Sequence, residues 1–446
     1  MNTIATHATS ETGHRELSSQ SNLRLTARYR WMLLVIVMPL FIVIALLAVN
    51  QYRDQRTQVL HSLAQNTSSY AIALDGIAKL ASDHVLQMKA WSENYLRSPP
   101  SYPSDLRAYY RPRFVDGKLD SYTLDQVPVE ERKYIGQLAW LGNDPRDSNV
   151  NNVALDQALE FFSLARLTHD VTPYFQWSYF FSSSKDVLAV FPWFSAEDIV
   201  TGSGYKTLKE ALASWYEYEI YLAGTPEQNP ERTMYWTKPY IDAGGTGAMV
   251  SLGAPVYVKD QFKGIVGTDV RLLTLEKFLQ GLPMDVGRLV ILNDEQILLA
   301  DTASVPEDTL IKATDTLPGV LADEQFIKNL PTTGEIIDTE SQVLVANNTS
   351  HAPWTLIYLI SDEEISGLLL PRLLPYAVIL AVLAITVFIA LYILRKNFIG
   401  PALRLVSYIR DASVNPFVPE PELPKLWQTW AGLISSTFEI NHKAVL

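Results

Sequence analysis

Two carboxylates stand where a reader looks for chemistry. Asp269 follows the apolar run in "FKGIVGTDV", just where a strand is expected to finish, and Asp242 precedes the glycine-rich "AGGTG". Each has an ordinary explanation. Asp269 can cap the helix expected at "LLTLEKFL", and Asp242 can form a turn with the glycines that follow it. Trp193, Trp215 and Trp236 are bulky aromatics of the kind that cores and pockets both use. No catalytic constellation surrounds them: the chain has no His-Glu-x-x-His, no Gly-x-Ser-x-Gly, no Walker loop and no dinucleotide fingerprint. "DAGGTGAM" joins strand to strand instead of opening a helix, so it lacks the geometry that cradles a phosphate. His61, His84, His169, His351 and His442 have no metal-ligand spacing. With no cysteine, disulfides, thiolate metal sites and a cysteine nucleophile are excluded. Neither a catalytic residue nor a metal or other cofactor is expected.

The elements that position these residues belong to a membrane protein. The chain has 446 residues, 48% of them hydrophobic, enough for more than one core. A formal charge of −12 and the lack of any basic run with interleaved aromatics argue against nucleic acid as a partner. Segments 32–49 and 373–394 are uncharged and apolar, and about 20 such residues cross a bilayer. A cleaved signal peptide is the rival for the first, but no small-x-small cleavage site follows it. Arg24, Arg28 and Arg30 precede the first span and Arg395, Lys396, Arg404 and Arg410 follow the second, outnumbering Arg53 and Arg56 between them. By the positive-inside rule both termini are expected in the cytoplasm and the large middle outside it.

Residues 1–31 are polar and read as a cytoplasmic disordered tail, followed by a membrane helix over 32–50. Apolar or bulky residues then recur at Leu60, Leu63, Tyr70, Leu74, Ile77, Ala81, Met88 and Trp91, which predicts a long helix continuing from the membrane. Its stripe serves either a dimer seam or the face that packs on the outside domain. Beyond "RSPPSYPSD", runs such as "YFQWSYFFS" and "DVLAVFPWF" read as antiparallel strands, and "SGYKTLKEALASWYEYEIYLAG" reads as one helix closed at Gly224. "RLVILNDEQILLA" and "QVLVANNTSHAPWTLIYLI" are strand pairs of a smaller second module. The predicted fold is therefore α+β: a long helix and a first module over 51–285, a second over 286–370, a membrane helix over 371–394 and a helical tail over 395–446. In that tail Ala402, Leu405, Ile409 and Ala412 make one amphipathic stripe and Leu426, Trp430, Leu433, Thr437 and Ile440 another. Joined by "VNPFVPEPELP", such helices are expected to bury their stripes in a dimer, as a four-helix bundle.

This order resembles the double Cache sensor domains of bacterial receptors, two PAS-like modules between two membrane helices. The most recognisable part is Pro239, Tyr240, Asp242, Pro255, Val256, Tyr257, Gly264, Val266, Gly267 and Asp269, matching a Pro-Tyr, an acidic residue two on, "P-V-Y" and "G-V-V-G-x-D". The stretch 395–441 is similar to a HAMP linker, with Pro401 at the early proline but without the usual connector glycine. The resemblance implies a small-molecule pocket in the membrane-distal module. It implies that Asp269 faces that pocket and accepts from an ammonium group, that Tyr240 and Asp242 line it, and that Trp215 and Tyr216 form its aromatic pair. Trp193 and Trp236 are further ligand-contact candidates. Amino-acid-binding members carry an arginine two residues before the aromatic pair, and here that position is Ala213, which shifts the expected ligand toward an amine or another small polar metabolite without a carboxylate anchor. Arg232 has the reach to serve the same pocket, but nothing in the sequence places it there.

The expected function is that of a two-pass inner-membrane sensory receptor, a homodimer signalling through the linker to an output domain of the histidine kinase or diguanylate cyclase type that these residues do not contain. The alternative is a receptor without its own output, or an accessory membrane protein, that assembles with another cytoplasmic signalling protein.

Overall fold

The computed structural model describes residues 5–147, 153–303, 306, 309–414 and 418–445. Helix α1 (Ala5–Arg97) runs without a break through Pro39. It begins well inside the stretch expected to be a disordered tail, where Gly13 is the one residue of strongly helix-breaking character. The stripe on α1 faces the domain it precedes: Leu60, Leu63, Leu74, Ile77, Ala81 and Met88 are all buried within the chain, which settles the choice between core face and dimer seam for those positions.

The first module carries β1 (Arg111–Val115), β2 (Lys118–Thr123), β3 (Gln137–Trp140), α2 (Val153–His169), β4 (Phe175–Ser182) and β5 (Val187–Phe191). The chain goes on through α3 (Ala196–Ser203), α4 (Leu208–Trp215), α5 (Glu219–Leu222), β6 (Tyr235–Trp236), β7 (Tyr240–Ile241), β8 (Ala248–Val258), β9 (Gln261–Arg271) and α6 (Leu272–Gln280). The strands form one nine-stranded sheet in the order β1-β2-β3-β5-β4-β9-β8-β6, with β7 also on β8. The hairpin β8–β9 turns at Lys259 and Asp260, both with positive φ (47° and 62°), the backbone of a tight turn matched to the strand twist.

Two expectations change here. The helix anticipated from Ser203 to Gly224 is cut into pieces: Gly204 closes α3 in the left-handed conformation, Thr207 caps α4, and Tyr218 is extended before α5. Aromatics have only middling helix propensity, and Tyr216 instead enters the core, where its hydroxyl donates to the Val187 carbonyl. Asp269 does not end its strand either. β9 runs on to Arg271, and Arg271 holds the N-cap position of α6 with no side-chain cap.

The second module pairs β10 (Arg288–Asn293), β11 (Leu298–Asp301), β12 (Thr333–Asp338), β13 (Gln342–Asn348) and β14 (Trp354–Ser361) in the order β11-β10-β14-β13-β12, all antiparallel. Short helices α7 (Ala313–Thr316) and α8 (Glu324–Lys328) lie between β11 and β12 in the chain. Both modules belong to one compact unit, residues 58–365.

The other unit comprises residues 1–57 and 366–446. It holds most of α9 (Asp362–Leu394), then a π-helical turn at Arg395–Ile399, α10 (Gly400–Val414) and α11 (Lys425–Val445). Helices α1 and α9 each contain a stretch long and apolar enough to cross a membrane. In the tail, Leu405, Tyr408 and Ala412 of α10 pack with Trp427, Ala431 and Ile434 of α11. The expected α11 stripe points elsewhere: Leu426, Trp430 and Leu433 are 71%, 61% and 58% exposed, and the side chain of Ile440 lies outside those described.

Candidate functional site

Alternation along β4 directs Trp177, Tyr179 and Phe181 to one face of the sheet and Ser178 and Phe180 to the other. On β9 the same rule separates Ile265, Gly267 and Asp269 from Val266 and Thr268. The first face meets α3, α4 and α5 across a cavity of about 290 Å³. Its wall holds seven aromatic side chains, Trp177, Tyr179, Phe181, Phe194, Trp215, Tyr218 and Tyr240, and three carboxylates, Asp198, Asp242 and Asp269. Among the described residues, no lysine, arginine or histidine lines it.

Asp269 lies at the floor of the cavity and is 3% exposed. Ser251 sits directly across the β8–β9 ladder, and its hydroxyl donates to Asp269 Oδ1 at 2.6 Å. Tyr179 donates to the same oxygen at 2.6 Å. The Tyr240 and Ser251 hydroxyls are 2.8 Å apart; because the proton of Ser251 is spent on Asp269, Tyr240 is the donor. Two hydroxyls thus converge on one carboxylate oxygen, and a third backs one of them. Burial still wins: it pushes the Asp269 carboxyl up from 3.8 to about 7, the hydroxyl donors pulling down and nearby Asp242 adding to the rise. Burial likewise holds the phenols of Tyr179 and Tyr240 well above their ordinary value.

Two glycines of "GIVG" explain their places. A Cβ on Gly267 would come within 2.5 Å of the Tyr179 ring, so the missing side chain is the space in which that ring reaches Asp269. At Gly264 φ is +142°, and a Cβ would meet the Phe181 carbonyl oxygen at 2.0 Å.

Asp242 has both of its expected characters. It closes the turn, with Thr246 donating from N (3.2 Å) and Oγ1 (2.6 Å) to Oδ2, and it also lines the cavity. Trp215 lines it too, and its indole N–H is buried with no acceptor among the described residues. The other candidates lie elsewhere. Tyr216 is in the core beside Phe181 and Tyr221. Trp193 lies under the Arg132 guanidinium, 3.8 Å from ring centre to Cζ. Trp236 packs on Trp354 of the second module and donates to the His351 carbonyl at 2.9 Å. Arg232 is engaged by Asp260 and the Tyr257 ring. Sequence reasoning does not single out Trp177, Tyr179, Phe181, Phe194, Asp198, Tyr218 or Ser251. The alternation within "YFQWSYFFS" is a signal that could have marked the first three, whereas Ser251 reads as a plain strand residue.

Residues 169–277 match the family model described as methyl-accepting chemotaxis protein-like, first PDC sensor domain. This stretch of the first module is thus similar to a PDC sensor domain. The match covers β4 to β9 and with them every residue of the cavity wall, in the part of the chain that lies between two candidate membrane helices. No curated protein matches the chain. Among solved structures it is similar to the sensory domain of the Campylobacter jejuni chemoreceptor Tlp3 with isoleucine bound, at 9% identity over 70% of this chain and 97% of that one, TM-score 0.39. It is also similar to the ligand-binding domain of the Pseudomonas aeruginosa amino acid chemoreceptor PctC in complex with GABA, at 17% identity over 48% and 82%, TM-score 0.32. A third is that of the Pseudomonas fluorescens chemoreceptor CtaA in complex with L-serine, at 16% identity over 48% and 84%, TM-score 0.31.

Proposed function

We propose that this chain is a two-pass transmembrane receptor whose first module binds a small organic amine and whose tail, as a HAMP-like dimer, passes the signal to an output domain of the histidine kinase or diguanylate cyclase type. The observation that carries the ligand class is the wall of the cavity: carboxylates and aromatic faces with no basic side chain among the described residues. An ammonium group gains from both kinds of neighbour, through a charge-assisted hydrogen bond and through the ring quadrupoles. A ligand carboxylate would meet Asp198, Asp242 and Asp269 with nothing to offset them, and Ala213 stands where amino-acid-binding relatives hold an arginine. Oδ2 of Asp269, on which neither 2.6 Å bond falls, is the oxygen the ligand would meet, and the Trp215 N–H leaves a donor for a hydroxyl or carbonyl on the same molecule.

Binding a cation requires ionised Asp269. Affinity should therefore be full above pH 7 and fall as the pH drops below it, with a proton released on binding near the midpoint. The dimer is supported by the exposed Leu426, Trp430 and Leu433, which a second tail would cover.

The test is calorimetric titration of the full chain in lipid nanodiscs with primary amines, their quaternary analogues, α-amino acids and dicarboxylates, at pH 6 and pH 8. Amines should bind more tightly at pH 8, and Asp269→Asn should weaken them at least 100-fold. Binding of dicarboxylates, or amine binding untouched by Asp269→Asn, would sink the assignment.

A further inference from the structure

Behind the cavity, on the opposite face of the sheet, four polar side chains meet in a place that ligand binding does not use. Ser178 Oγ lies 2.9 Å from His84 Nε2 of α1, 2.9 Å from His169 Nε2 at the end of α2 and 3.1 Å from Thr268 Oγ1 of β9. Ser178, Thr268 and His84 are all buried.

The protons can be assigned by counting. Thr268 Oγ1 donates to the Trp177 carbonyl at 2.9 Å, so its single proton is spent. Ser178 must then donate to Thr268, and both histidines must donate to Ser178, which fills its two acceptor positions. Each imidazole is thereby protonated on Nε2, and a proton on His84 Nδ1 would need an acceptor there. That atom is buried without a partner among the described residues. Burial works in the same direction, holding His84 down to about 3 and His169 to about 4. The His84 ring stacks on Phe175, 5.3 Å between centroids.

What makes the cluster more than a satisfied core is its register. Ser178 and Thr268 are ladder partners across β4 and β9. The next residue on each strand, Tyr179 and Asp269, is one half of the hydrogen bond at the floor of the cavity. One peptide step thus separates the groups that hold Asp269 from the groups that hold α1.

We propose that Ser178 is a positioning residue that couples the cavity to the long helix: a change at the Tyr179–Asp269 pair shifts Ser178 and Thr268 on the back of the same strands, and His84 registers it on α1, the helix that carries the first apolar span. The inference rests on the ligand reading only for its natural stimulus. Its test perturbs the cavity without any ligand.

The experiment is magic-angle-spinning NMR of the full chain, labelled with 15N-histidine, in lipid at pH 8. His84 and His169 should both show the neutral, Nε2-protonated form. Asp269→Asn should move the His84 and His169 signals while His351, held by Asp75 outside the network, stays in place. In a Ser178→Ala background the same Asp269→Asn change should leave His84 still. If Ser178→Ala disturbs His351 and so the fold, Thr268→Ala, which spares the histidines their acceptor, takes its place. A charged or Nδ1-protonated His84 overturns the proposal, as does a His84 signal blind to Asp269→Asn or a response that survives loss of the hydroxyl. An amine screen that fails while these shifts appear would overturn the ligand class and leave the coupling standing.

Discussion

In the second module the sheet face is filled with aliphatic side chains, Val290, Leu292, Leu344, Ala346, Ile357 and Leu359 meeting Leu317, Leu321 and Leu330. The helix-covered face of the first module gives up part of such packing to a cavity with a carboxylate at its floor. Both sheets are antiparallel and helix-covered, so topology alone does not make a binding site. What differs is the set of residues on the covered face of the central strands. Leu344 and Ile357 close their gap, whereas Gly267, Asp269 and Ser251 keep theirs open and polar. Burying Asp269 there costs stability, and a cation would recover it.

The largest expected effect sharpens that contrast. With its carboxyl raised in the fold from 3.8 to about 7, Asp269 is favoured in its protonated form. Its contribution is fully present below pH 3.8 and is lost as the pH rises through 7, about 4 kcal/mol in all at about 1.4 kcal/mol per pH unit. His84 and His169, lowered from 6.5 to about 3 and about 4, act oppositely and cost stability as the pH falls below 6.5. The Asp269 contribution is therefore read as the difference between wild type and Asp269→Asn in urea midpoints from pH 4 to 8. A pH-independent difference would mean that the carboxyl is solvated.

On the filled face, Leu344→Ala should cost about 3 kcal/mol, the usual toll of a cavity at a closed site, by the same unfolding measurement. A loss below about 1 kcal/mol would show that the two faces are equally loose. Gly267→Ala should destabilise the first module by about 1–3 kcal/mol through overpacking and abolish amine binding, because its methyl takes the space of the Tyr179 ring. Retained binding in calorimetry would separate Tyr179 from the site. The smallest effect is expected of Trp193→Phe, about 0.5 kcal/mol from the contact with Arg132, with amine affinity unchanged within twofold.

The sequence by itself determined the two apolar spans, the α+β order of two modules and the strand pair that carries Asp269. These follow from length, period and turn residues, which are local properties of the chain. Tyr240, Asp242, Trp215 and Asp269 were legible because they fall within one motif or at a helix end near it. Only the tertiary structure decided that Tyr179, ninety positions from Asp269, donates to it, that Ser251 completes the cluster, and that Tyr216, Trp193 and Trp236 pack elsewhere. It also joined His84 to Ser178. Periodicity tells which face of a strand a residue takes. What stands opposite that face is set by which strands pair and in what register, and by the helices laid across them, contacts between positions that no local pattern connects.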